Sequence, residues 1–208
     1  KILKPLLLIL SPMVLFLPSL FNYFSGDDWF HLRISNIQSL REFFNFFSFS
    51  HTAQSAAFYR PLPTQVFFSL FQKLFGLTAW PYYLFVLICF GYSLYLVYKF
   101  ALSQFRDTNK SLIATFIYGI SVSNFTRIYF LSAFQEIALV IFSLLCLLSF
   151  EKSKLKSTLF FILALLSKET AIILPLILLI FNFKIVKKQI TQIIPIAIVS
   201  FVYLYLRL

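Results

Sequence analysis

Apolar runs near bilayer length recur along this chain, separated by short charged segments. Crossing about 30 Å of hydrocarbon takes about 20 apolar residues in a helix. Runs at 5–24, 80–100, 111–126, 130–150 and 190–206 meet or approach that length, and another apolar stretch covers 157–183. Composition agrees: 60% of residues are hydrophobic and 12% charged, whereas soluble domains run to about 25% charged. A water-soluble globule so built would lack polar side chains for its surface. An ordinary cytoplasmic enzyme, a disordered tail and a disulfide scaffold are all excluded. The expected fold class is all-α integral membrane.

The 157–183 stretch is interrupted by Ser167-Lys168-Glu169-Thr170. One helix through it would put two ionised groups near mid-bilayer, at about 2.5–3.5 kcal/mol each. Charge placement favours two short helices turning at these residues. With the N-terminus cytoplasmic, one side then holds Lys1, Lys4, Lys99, Arg106, Lys110, Lys152, Lys154, Lys156, Lys184, Lys187 and Lys188. Arg33, Arg41, Arg60, Lys73, Arg127, Lys168 and Arg207 fall outside. That bias follows the positive-inside rule. The expected architecture is a polytopic bundle of about seven transmembrane helices, forming one module over 1–208. The chain starts at Lys1 and ends in an apolar run at Leu208, so it reads as part of a longer protein. The net charge of +11 is thereby assigned to the membrane surface, and no nucleic-acid partner is expected.

The extracytoplasmic loop, about 25–79, carries the chemistry-bearing residues. Its periodicity predicts interfacial amphipathic helices. Over 29–47, Phe30, Ile34, Ile37, Leu40, Phe44 and Phe47 share a face; over 64–75, Gln65, Ser69, Gln72 and Lys73 form a polar one. Asp27 and Asp28 follow the first span directly. They read either as a helix cap, with Asp28 the capping residue, or as a general base or cation site. Tyr59-Arg60-Pro61-Leu62-Pro63 reads as an extended, rigid turn presenting Arg60, because both prolines lack an N–H. Arg60 would meet a phosphate, either of bulk lipid or of a lipid-linked substrate. The Lys168–Glu169 turn is either a self-neutralising pair or a functional one set below the headgroups. Arg127 and Gln135-Glu136 are weaker candidates. His31 and His51 read as loop histidines rather than a zinc site. Cys89 and Cys146 read as buried thiols.

GDDWFH at 26–31, YRPLP at 59–63 and LLSKETAIILP at 165–175 form an ordered set. Together they resemble the GT-C superfamily of membrane glycosyltransferases, in the branch of protein O-mannosyltransferases and aminoarabinose transferases. The resemblance spans about 150 residues. It implies inverting transfer of a sugar from a polyprenyl-phosphate donor to an unidentified protein, glycan or lipid acceptor at the extracytoplasmic face. It places the catalytic base on Asp27 or Asp28, with Asp27 favoured as the first of the acidic pair. It puts Arg60, beside Tyr59, on the donor phosphate and Lys168 and Glu169 near the donor, with Arg127 and His31 as further substrate-binding candidates. No cofactor or metal ligand is assigned, and assistance by a divalent metal stays open. The competing classes are a transporter or flippase of a lipid-linked substrate, which would carry ionisable residues through the bilayer, and a non-catalytic scaffold.

Overall fold

A computed structural model describes residues 8–49, 59–181 and 187–207. Among these the structure is helical, with no strand. The first helix, α1 (Leu8–Phe21), tightens to 3-10 winding over Ser11–Phe21. The loop region carries α2 (Asp27–Ile34), α3 (Leu40–Asn45) and α4 (Phe67–Phe75). Then come α5 (Trp80–Phe105), α6 (Thr108–Gly119), α7 (Ser123–Tyr129) and α8 (Phe134–Ser149). The chain ends with α9 (Lys154–Leu165), α10 (Leu174–Phe181) and α11 (Lys187–Arg207).

Two helical segments, Trp80–Phe105 and Leu131–Ser149, are long and apolar enough to cross a membrane. The first has 26 residues, about 39 Å at 1.5 Å per residue. Leu8–Phe21, Glu169–Ile180 and Ile193–Arg207 are apolar but shorter. The expected seven spans thus correspond here to two full-length helices and several shorter apolar ones.

The long α5 is the hub against which α1, α6 and α8 pack. Tyr82, Tyr83, Phe90 and Leu94 are buried on it. Phe90 meets Phe16 edge-to-face at 5.3 Å, and the Tyr83 hydroxyl donates to the Tyr23 carbonyl at 3.0 Å. Leu84, Ile88 and Tyr92, four residues apart on another α5 face, stay 37%, 57% and 44% exposed. A second cluster joins Cys146 and Phe150 to Phe161, Leu165, Leu178 and Ile196 from α9, α10 and α11.

Two glycines let α1 approach. A Cβ on Gly119 would lie 2.5 Å from the Pro12 ring, and one on Gly91 would lie 2.6 Å from the Met13 sulfur. A Met tip can swing aside; a proline ring cannot. Ala at Gly91 also gains about 0.8–1.0 kcal/mol of helix propensity, which offsets the crowding. Gly119→Ala, at a helix end, should cost about 1–3 kcal/mol, while Gly91→Ala should be near neutral. Thermal melts of the two variants check this, and equal losses would refute the rigid-ring argument.

The elements depart from the sequence expectation in four places. The 29–47 helix is broken into α2 and α3. At the break, Ser39 caps α3 by accepting the Glu42 N–H, and Glu42 accepts the N–H of Gln38, the residue before the cap. Of the expected apolar stripe, Ile37 is buried but Leu40 and Phe44 are 80% and 68% exposed. In the 64–75 segment, Gln65 and Ser69 are buried rather than facing out. The run at 111–126 is divided between α6 and α7, because Asn124 turns back to donate to the Tyr118 and Gly119 carbonyls and so closes α6. Pro61 and Pro63 do not force extension; π-type winding starts at Pro61 itself. Proline is tolerated in a first helical turn, where its missing N–H would find no partner anyway.

The interruption at Ser167–Thr170 is present. The α9 helix stops at Leu165, Lys168 is extended (φ −161°, ψ 141°), and 3-10 winding resumes over Glu169–Ile173 ahead of α10.

Candidate functional site

Gly26 sets up the acidic pair. Its φ of +51° lies where a side chain would be strained, and α2 begins at the next residue. Consecutive helical residues point about 100° apart, so Asp27 and Asp28 part company. The Asp28 side chain is buried. One of its oxygens accepts the Ser25 N–H at 3.1 Å and the other accepts the Ser132 N–H at 2.7 Å. It caps no donor inside α2; it ties the start of α2 to the turn before α8, 104 residues away. Burial raises its carboxyl above the ordinary value, against the lowering effect of the backbone N–H groups that bind it. Asp27 is exposed and lines a cavity.

That cavity has a volume of about 490 Å³. Asp27 and His31, one helical turn apart on α2, form one wall. Arg60 and Thr64 form another, and Thr126, Ser132 and Gln135 come from α7, the turn after it and the start of α8. Phe30 and Phe130 add apolar surface. A carboxylate, a guanidinium, an imidazole and several hydroxyl and amide groups therefore surround one space.

Among the described residues, two side chains hold Arg60. Its Nε donates to Glu169 at 2.9 Å and its Nη1 to the Gln135 side-chain oxygen at 2.8 Å. The other Glu169 oxygen accepts the Tyr59 N–H at 3.1 Å. Lys168, the preceding residue, pairs with Glu136. The two ion pairs are thus interleaved: consecutive residues 168 and 169 reach the consecutive 135–136 corner and Arg60. The Leu62 N–H donates to the Leu166 carbonyl at 3.3 Å, which fixes the Arg60 turn to the end of α9. The interruption of the apolar run therefore does structural work, orienting Arg60 toward the cavity.

Other candidates stand apart from the cavity wall. Lys168 and Glu169 act on Arg60 and Glu136 rather than lining the space. Tyr59 is buried, stacked on Phe49 at 4.4 Å, with its hydroxyl donating to the Phe47 carbonyl. Burial raises its phenol pKa. Arg127 donates to Asn124 at 3.0 Å. His51 lies outside the described residues. Cys146 is buried and Cys89 partly so, and neither is in a disulfide. Among the described residues, no three His, Cys, Asp or Glu side chains gather where a metal could be held. Thr64, Thr126 and Ser132 carry no sequence signal of their own; Gln135 had one, as an amide at the polar end of an apolar run.

Burial pushes the His31 imidazole from 6.5 down to about 4; Asp27 pulls it up and Arg60 pushes it further down. It is neutral at pH 7, and its buried Nδ1 has no partner among the described residues. Between pH 4 and 6.5 the unfolded chain binds this proton more readily than the folded one. The residue's contribution to stability is therefore intact above pH 6.5 and is lost as pH falls toward 4. His31→Phe should flatten the drop in melting temperature across that window. An unchanged drop would show that other groups cause it.

Comparison of the chain with protein-family models, with curated proteins and with solved structures finds no match.

Proposed function

We propose that this chain is the membrane core of an inverting glycosyltransferase of GT-C type, which moves a sugar from a polyprenyl-phosphate donor to an acceptor hydroxyl at the extracytoplasmic face. The observation that carries this reading is the shared cavity: Asp27 and Arg60, 33 positions apart, line the same space. They are the two groups the chemistry requires. Asp27 takes the acceptor hydroxyl proton as general base. The acceptor oxygen attacks the anomeric carbon while the bond from that carbon to the donor phosphate oxygen breaks. Polyprenyl phosphate departs, and its growing negative charge is met by Arg60. His31 and Gln135 are placed to orient sugar hydroxyls. The donor tail requires a bilayer. The outward apolar faces of α5 and α11 support a multi-pass arrangement, and the lysine bias supports a cytoplasmic N-terminus.

The test uses membranes containing the full protein and a panel of radiolabelled polyprenyl-phosphate sugars. Wild-type protein should transfer label from at least one donor. Arg60→Lys keeps the charge but loses the fork that serves Glu169 and Gln135 together. It should reduce kcat/KM about 10–100-fold through transition-state charge that is less well met. Absence of transfer from every donor, in membranes where the protein is folded and abundant, overturns the reading.

A further inference from the structure

At the other end of α8 lies a second cavity, of about 340 Å³. Gln135, on the first cavity, and Leu148, on the second, are 13 residues apart, roughly 20 Å along the helix. Phe100, Leu147, Leu148, Phe150 and Leu178 line it with apolar surface; Arg106 and Lys152 supply two cations, against one carboxylate, Glu151. Ser103 and Gln104 add polar groups. It sits where α5 and α8 both end.

The charge here exceeds what the helix ends need. Within 99–110 and 151–156 the cations are Lys99, Arg106, Lys110, Lys152, Lys154 and Lys156, and the anions are Asp107 and Glu151. Six minus two leaves +4. Asp107 is occupied in capping α6, where it accepts the Lys110 N–H at 3.0 Å. The carbonyl ends of α5 and α8 bring about half a negative charge each and the N-termini of α6 and α9 about half a positive charge each, so the helix ends offset none of the four. Arg106 and Lys152 are exposed, and no carboxylate pairs with either among the described residues. A cavity with two cations to one carboxylate and apolar side chains beside them, at the end of two helices of bilayer length, matches an amphiphile with a phosphate head.

We propose that this cavity binds the phosphate headgroup of an anionic membrane lipid, with Arg106 and Lys152 on the phosphate and the apolar side chains against the first part of an acyl chain. The cluster then does more than set orientation. The site is independent of sugar transfer, and its ligand belongs to the leaflet opposite the Asp27 cavity.

The test places the purified full protein in phosphatidylcholine vesicles with and without phosphatidylglycerol, and reads lipid retained on the protein together with its melting temperature. Arg106 has φ +51°, a conformation asparagine accepts readily, so Arg106→Asn should fold; Lys152→Gln changes an exposed side chain. Each should weaken phosphatidylglycerol retention about fivefold, and both together about 25-fold. Lys154→Gln with Lys156→Gln, basic neighbours outside the cavity, should leave retention nearly intact. The proposal is overturned if the cavity pair retains the lipid fully, or if the neighbouring pair loses as much. It is also overturned if inorganic phosphate alone produces the same stabilisation, because the apolar side chains would then have no part.

Discussion

Asp27→Asn should lower sugar transfer about 10²–10⁴-fold and leave the melting temperature within about 0.5 kcal/mol equivalent of wild type. The two halves of that expectation come from different observations. The Asp27 side chain is exposed on the cavity wall, and no hydrogen bond or ion pair to another described residue is made by its carboxylate. Its loss removes no buried contact, so folding is spared. Asparagine preserves size and polarity but cannot take a proton. The loss should fall on kcat, with donor KM little changed, because in the proposed mechanism Arg60 and not Asp27 meets the donor phosphate. Glutamate at 27 keeps the basicity but moves it by one methylene, so partial activity is expected. Transfer assays on Asn, Glu and wild-type proteins at matched membrane abundance decide the point. Full activity in the Asn variant would remove Asp27 from the base role.

The interruption at 167–170 was legible because a Lys–Glu pair in an apolar run has no stable place in a continuous spanning helix. Arg60 was legible as a held residue, since two nearby prolines restrict the backbone. What the prolines do there was misread, because a proline's effect depends on whether it falls in the first turn or the interior of a helix. Which of two adjacent aspartates faces the cavity could not be read locally. It depends on the turn at Leu131–Ser132, a hundred residues on, whose N–H claims Asp28. The division of 111–126 had the same origin: a buried Asn124 bonds backward to Tyr118 and Gly119, and hydropathy does not register such a bond. Gln135 illustrates a third kind of gap. Beside Glu136 it reads only as a weaker candidate, yet among the described residues its amide oxygen is, with Glu169, one of the groups that aim Arg60. Long-range polar pairings, then, are where sequence pattern and structure part.

The largest structural loss is expected at Asp28. Alanine there leaves the half-buried Ser25 and Ser132 N–H groups without their carboxylate acceptor, at about 1 kcal/mol each. It should also loosen the turn that carries Ser132 into the cavity wall, so transfer and melting temperature should fall together. Asparagine is the milder change. Its one carbonyl oxygen still accepts one N–H, its amide faces the other donor unfavourably, and it removes a charge that burial disfavours. The expected order of stability is therefore wild type, then Asn, then Ala. Raised above 3.8, the Asp28 carboxyl holds its proton more tightly in the folded than in the unfolded chain. Its titration thus favours the fold most below pH 3.8, and that contribution fades as pH rises through the folded value. The difference in melting temperature between wild type and Asp28→Asn should accordingly shrink as pH rises from 3.8, whereas His31 acts in the opposite sense and equally in both proteins. Cooling distinguishes the two aspartates. Activity lost through loosened structure in Asp28→Ala should recover in part at low temperature, while that of Asp27→Asn should not. Recovery in both would mean that Asp27 is structural as well, and no recovery in Asp28→Ala would assign Asp28 a part in the chemistry.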